Sequence, residues 1–152
     1  MICVPLNPRP LAVQVRLPVT PAAALAVARL HMAGPFVRGV RDCLFAPCDA
    51  FAALWSFNPL AAAPIAYSTL AGAVRHLRAE GGYLPWAIRT FAAAGLPEAV
   101  TPTPGSVVLL HHPKALGGAM LSLCIAPGAF AIKTETGMMI TDAAVAGVWS
   151  WD

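Results

Sequence analysis

From Thr20 to Gly95 the apolar positions recur at helical spacing, and from Pro102 onward they alternate along short runs broken by turn residues. Thr20 followed by Pro21 reads as a cap and a proline at the first helical position, and "AAALAVARLHM" continues as helix up to Gly34-Pro35. The loop 35–41 leads into a second helix from about Asp42 to Phe57, with Phe45, Cys48, Ala52 and Trp55 on one face. After a Pro-rich connection, Ser68 is read as the cap of a third helix, "TLAGAVRHLRAE", closed by Gly81-Gly82. Residues 84–94 predict a fourth helix, closed by Gly95. The runs 104–110, 119–126, 129–134 and 137–141 predict strands, with turns at Pro127-Gly128 and at 135–137. Helices first and strands after predict an α+β fold, with N-terminal helices packed on a C-terminal antiparallel sheet.

Residues 1–20 stand apart. Their four prolines and the alternating "LAVQVRL" predict an extended N-terminal arm lying against a neighbouring subunit, with 21–152 as the folded domain. Composition strengthens the idea of an assembly, since 58% of the 152 residues are hydrophobic and only 11% are charged. So few charges cannot cover the surface, and large apolar patches mark contact surfaces. A membrane span is not expected. The longest uncharged run, 50–74, is interrupted by Asn58-Pro59 and Pro64, and the run 115–132 by Gly117-Gly118 and Pro127-Gly128. The first ten residues lack a basic start and an apolar core, so no signal peptide is read there. The net charge of +3 is scattered singly, without a basic stripe, which argues against a nucleic-acid partner. Cysteines stand at 3, 43, 48 and 124. The spacing of Cys43 and Cys48 is not that of a zinc site, so no metal and no cofactor are expected, and without a secretory signal reduced thiols are expected in place of disulfides.

Chemistry concentrates in "PFVRGVRDCLFAPC", residues 35–48. A cysteine at a helix start meets unpaired N–H groups and a favourable dipole, so Cys43 is a candidate nucleophile. The alternative is that Asp42 caps the helix and Cys43 is one more buried small side chain. Arg38 and Arg41 flank the pair; they would hold an anionic carboxylate or lower the thiol pKa, or else bond Asp42 and nearby carbonyls. His111 and His112 end the first strand run and are the histidines that a hairpin brings toward Ala119 and Met120. His76 reads as a solvated helix residue, and His31 as a helix-end imidazole suited to the dipole. Trp55 and Trp86 fall in helical patterns and read as core, whereas Trp149 and Trp151 in "VWSWD" read as marking a subunit contact.

The order "PFVRGVRDCLF", "LAGAVRHLRAEGG", "GSVVLL" and "LSLCIA" resembles the NlpC-type papain-like cysteine peptidases, and more closely a phage- and prophage-encoded family related to them. The resemblance runs over roughly 22–150, and the order of short motifs carries it. It implies a cysteine nucleophile at Cys43, a histidine base at the start of the second strand, and an orienting polar residue on the next. The base position falls on Met120, and the orienter region on Ile132 and Lys133, none of which can serve. The resemblance therefore implies a degenerate domain: a structural subunit of the tail tip or baseplate of a tailed phage, located in the virion and assembled with hub and distal-tail proteins. The alternative it implies is an active cysteine endopeptidase cutting peptidoglycan stem peptides during DNA entry, with Cys43 as nucleophile and His112 or His111 as base. A third class, an apolar-ligand or membrane-surface binder, rests on composition alone.

Overall fold

A computed structural model describes residues 18–62 and 65–151. The expected arm falls largely on residues 1–17, outside the described residues. Four helices come first: α1 (Pro21–Met32), α2 (Phe45–Trp55), α3 (Leu70–Ala79) and α4 (Tyr83–Ala94). Five strands follow: β1 (Val107–His111), β2 (Ala119–Ala126), β3 (Ala129–Lys133), β4 (Met138–Thr141) and β5 (Val145–Trp149). They form one antiparallel sheet in the order β4-β3-β2-β1-β5. The α+β expectation is met: helices first, then an antiparallel sheet.

Local chemistry explains the boundaries. Thr20 caps α1 through its hydroxyl, which accepts from the Ala23 N–H at 3.1 Å, with Pro21 at the first helical position. The third helix corrects the expectation. Thr69, not Ser68, is its cap and accepts from the Gly72 N–H at 3.1 Å, because Thr69 has the extended backbone that a cap needs. Gly95, in the left-handed region, ends α4. Regular α2 begins at Phe45, yet the Asp42 carbonyl already accepts from the Ala46 N–H at 3.0 Å, so the capping turn starts where the sequence placed the helix.

Alternation along β1 and β2 divides the core. Val107, Leu109, Leu121 and Leu123 face the helices and join Ala24, Ala28, Met32, Phe51 and Trp86 in the main cluster. Val108, Leu110, Cys124, Phe130, Ile132 and Val148 are buried on the opposite face. The buried face of α2 is wider than the four residues expected, taking in Ala46, Ala50 and Phe51 as well as Cys48 and Trp55. Strand β5 is absent from the sequence expectation, and it changes the reading of Trp149. That side chain is buried and lies edge-on against Phe91, with centroids 4.9 Å apart, so it is core and not a subunit contact. Trp151 is half-buried edge-on against Phe57. His76 is corrected too: it leans on Trp86 with centroids 6.4 Å apart, and its Nε2 is buried.

Candidate functional site

The segment 36–42 folds tightly ahead of α2. Val37 and Arg41 exchange backbone hydrogen bonds at 3.0 and 2.8 Å, and the Phe36 N–H reaches the Glu135 carbonyl at 3.0 Å. Gly39 lies at φ +81°, and a Cβ there would stand 1.8 Å from the Tyr67 carbonyl oxygen, so only glycine fits. This fold delivers Asp42 into the interior, where it is fully buried. Its Oδ1 accepts from the Leu44 and Phe45 N–H groups at 2.9 Å each, and its Oδ2 accepts from the Gly39 N–H at 2.9 Å and the Tyr67 hydroxyl at 2.7 Å. Asp42 is thus the helix cap, and its carboxylate is committed to structure.

Cys43, half-buried just after the cap, lines an open cleft of about 770 Å³ together with Arg38, His112, Lys114 and Met120. Burial pushes its thiol up to about 11, the Asp42 carboxylate adds to the rise, and Arg38 and a backbone N–H only partly oppose it. The helix start therefore does not produce a thiolate here: burial, and after it the charge of the capping carboxylate, outweighs the advantage. No imidazole is among the groups that set this pKa.

The candidate residues separate cleanly. His112 reaches the cleft, its backbone N–H donating to the Gly118 carbonyl at 2.9 Å, while its imidazole Nδ1 is buried without a hydrogen-bond partner. His111 is exposed, pairs across the sheet with Ala119 and does not line the cleft. Met120 lines the cleft but pairs with Leu110 and packs on the second face of the sheet, and Ala119 holds the helix-facing position at the start of β2. Arg38 borders the cleft with its guanidinium 4.6 Å from the centre of the Phe36 ring. Arg41 does not line it; its guanidinium donates to the Ala33 carbonyl at 3.3 Å. In the orienter region Ile132 is buried on the second face, and Lys133 is a buried ammonium donating to the Gly34, Thr134 and Gly137 carbonyls at 2.8, 2.7 and 2.9 Å. Burial and the nearby Arg41 charge lower its pKa.

Three contributors escaped the sequence reading. Tyr67 and Tyr83 line, with Cys43 and Arg38, an enclosed space of about 10 Å³, the size of roughly one water. The Tyr83 hydroxyl is buried and has no hydrogen-bond partner, and burial raises its pKa well above the ordinary value. Lys114 joins the cleft from the turn after β1. Tyrosines 24 and 40 residues from Cys43 carry no local signal, because only tertiary packing brings them there. Among the described residues no group of three histidine, cysteine or acidic side chains could hold a metal ion, and Cys43, Cys48 and Cys124 are free thiols. No described helix is long and apolar enough to cross a membrane.

No curated protein and no solved structure matches this chain. One family model, described as a domain of unknown function (DUF6950), matches residues 15–151, nearly the whole length. Because that match covers the helices, the cleft residues and the sheet alike, the chain belongs to the DUF6950 family.

Proposed function

We propose that this domain is a structural subunit of the tail tip or baseplate of a tailed phage, built on an NlpC-like fold whose hydrolase chemistry is silent. The observation that carries the reading is the state of Cys43. Its thiol stays protonated at neutral pH, with a pKa of about 11, and no imidazole contributes to that value. A papain-type nucleophile needs the opposite, a thiolate paired with an imidazolium. The assembly part of the reading draws support from exposed apolar side chains, among them Leu30, Val40, Leu70 and Val100, which a particle neighbour would cover. Its place would be the virion, beside hub and distal-tail proteins.

The second reading, a cysteine endopeptidase acting on peptidoglycan, is favoured by one observation: Cys43 and His112 line the same cleft, and His112 Nδ1 has no partner. The two readings differ in one pair of measurements. In the structural reading, Cys43→Ala particles assemble and infect like the parent, and iodoacetamide labels Cys43 with a pH midpoint near 11. Release of stem-peptide fragments from purified peptidoglycan, abolished by Cys43→Ala while assembly stays intact, would overturn it. So would a labelling midpoint below about 8, the ordinary upper limit for an activated thiol.

A further inference from the structure

The cleft beside Cys43 does not end at its own rim. Leu70, at the first position of α3 and 53% exposed, borders it and also a second open depression of about 950 Å³ running along α3. That depression is lined by Leu70, Ala71, Val74, Arg75, Arg78 and Ala79. These positions recur at three- and four-residue spacing, so they form one face of the helix, with apolar side chains and two guanidiniums interleaved.

The charges along this path are one-sided. Arg38 and Lys114 border the cleft, and Arg75 and Arg78 border the groove. Among the described residues none of the four makes an ion pair. Two nearby acids are engaged elsewhere: Asp42 accepts four hydrogen bonds, and Glu80 pairs with Arg89. Glu135 is the one acidic residue in either lining. Lys133 also lines the cleft, but its ammonium is held by three carbonyls.

We propose that the cleft and the α3 groove together form one continuous docking surface for an extended peptide segment of a partner protein, acidic and carrying apolar side chains. Charge complementarity selects the acidic partner, because four unpaired cations in a concave path attract carboxylates and repel a basic chain. The interleaved Leu70 and Val74 select a chain that alternates charged and apolar side chains. A flat membrane surface cannot follow the path down to Cys43. A nucleic acid would want a run of aromatic platforms for its bases, and the path offers only the His112 imidazole and Phe36, whose ring already carries the Arg38 guanidinium. The proposal rests on the non-hydrolytic reading of the cleft only in that the segment stays intact once bound.

The test uses the full chain and a short fluorescein-labelled peptide of Glu, Leu and Ser, followed by fluorescence anisotropy, beside the same peptide with Lys for Glu. Binding of the acidic peptide alone is expected, weakening with added salt. Arg38→Glu, in the cleft, and the double variant Arg75→Glu/Arg78→Glu, in the groove, should each weaken it about tenfold or more. Arg29→Glu, on exposed α1 surface, should leave it unchanged, and circular dichroism should show all variants folded. Three results would overturn the proposal: no binding, equal binding of the Lys peptide, or insensitivity to either variant. Tighter binding of phosphatidylglycerol vesicles or single-stranded DNA that the same variants abolish would also overturn it, naming a different partner class. Mass spectrometry separates the two readings of the site, since a bound but cleaved peptide leaves the docking surface standing and sinks the silent cysteine.

Discussion

Asp42 joins more of this structure than any other side chain in the site. One buried carboxylate satisfies two N–H groups of the α2 head, the Gly39 N–H and the Tyr67 hydroxyl. Removing it strands one buried and three part-buried donors, each worth up to about 1–3 kcal/mol when left unpaired and less where water reaches it. Asp42→Ala should therefore cost about 3 kcal/mol or more in urea unfolding, beyond the ~1 kcal/mol of an ordinary cap. Asp42→Asn should cost less, because the amide oxygen can still accept from Leu44 and Phe45. Its NH₂ would then face the Gly39 N–H, donor against donor, so the variant should not be neutral. A loss below about 1 kcal/mol for the alanine variant would mean that the carboxylate is an ordinary surface cap.

Between elements, the decisive contact is α1 on α2. Both helices bury small side chains: Ala24 and Ala28 from α1, Ala46 and Ala50 from α2, all fully buried. Small residues let the two backbones approach closely, and both helices pack on the sheet, with Cys43 just ahead of α2. Ala28→Leu keeps helix propensity nearly constant and adds volume where none is free. A loss of about 1–3 kcal/mol is expected, read from the thermal unfolding midpoint. The same substitution at the exposed Ala53 should be near neutral, and equal effects at both sites would refute a close-packed interface.

For the molecule as a whole, buried protonated acids set the response to alkali. Cys43 and Cys124 are pushed from 9.0 up to about 11 by burial, with Asp42 adding at Cys43, and burial also raises Cys48, Tyr67 and Tyr83. Each holds its proton more tightly folded than unfolded, so unfolding releases protons above about pH 9 and stability falls as pH rises from there. Lys133 works in the other direction, because burial lowers its pKa and its proton leaves the folded state first. Five groups outweigh one. The urea midpoint should drop between about pH 8 and about pH 10.5, and Cys43→Ala should flatten the slope. A midpoint that holds or rises over this range would contradict the burial of these groups.

The architecture was legible in the sequence because its signals are local. Thr20-Pro21 marks the start of α1, Gly81-Gly82 and Gly95 mark helix ends, and the change of hydrophobic period near Pro102 separates helices from sheet. The cap at Asp42 was legible for the same reason, since its N–H partners lie two and three residues away. Strand β5 was less so, because "VAGVW" contains a glycine and gains its place only by pairing with β1, some 40 residues earlier. The site depended on tertiary structure almost entirely. Sequence named Cys43, His111, His112, Met120, Arg38 and Arg41 as candidates, and the fold kept Cys43, His112, Met120 and Arg38 at the cleft while leaving His111 and Arg41 outside it. It also brought in Tyr67, Tyr83 and Lys114, and it decided the state of the thiol. A helix start predicts an acidic cysteine; desolvation and a carboxylate buried against it made a weakly acidic one, and burial exists only once the chain has packed.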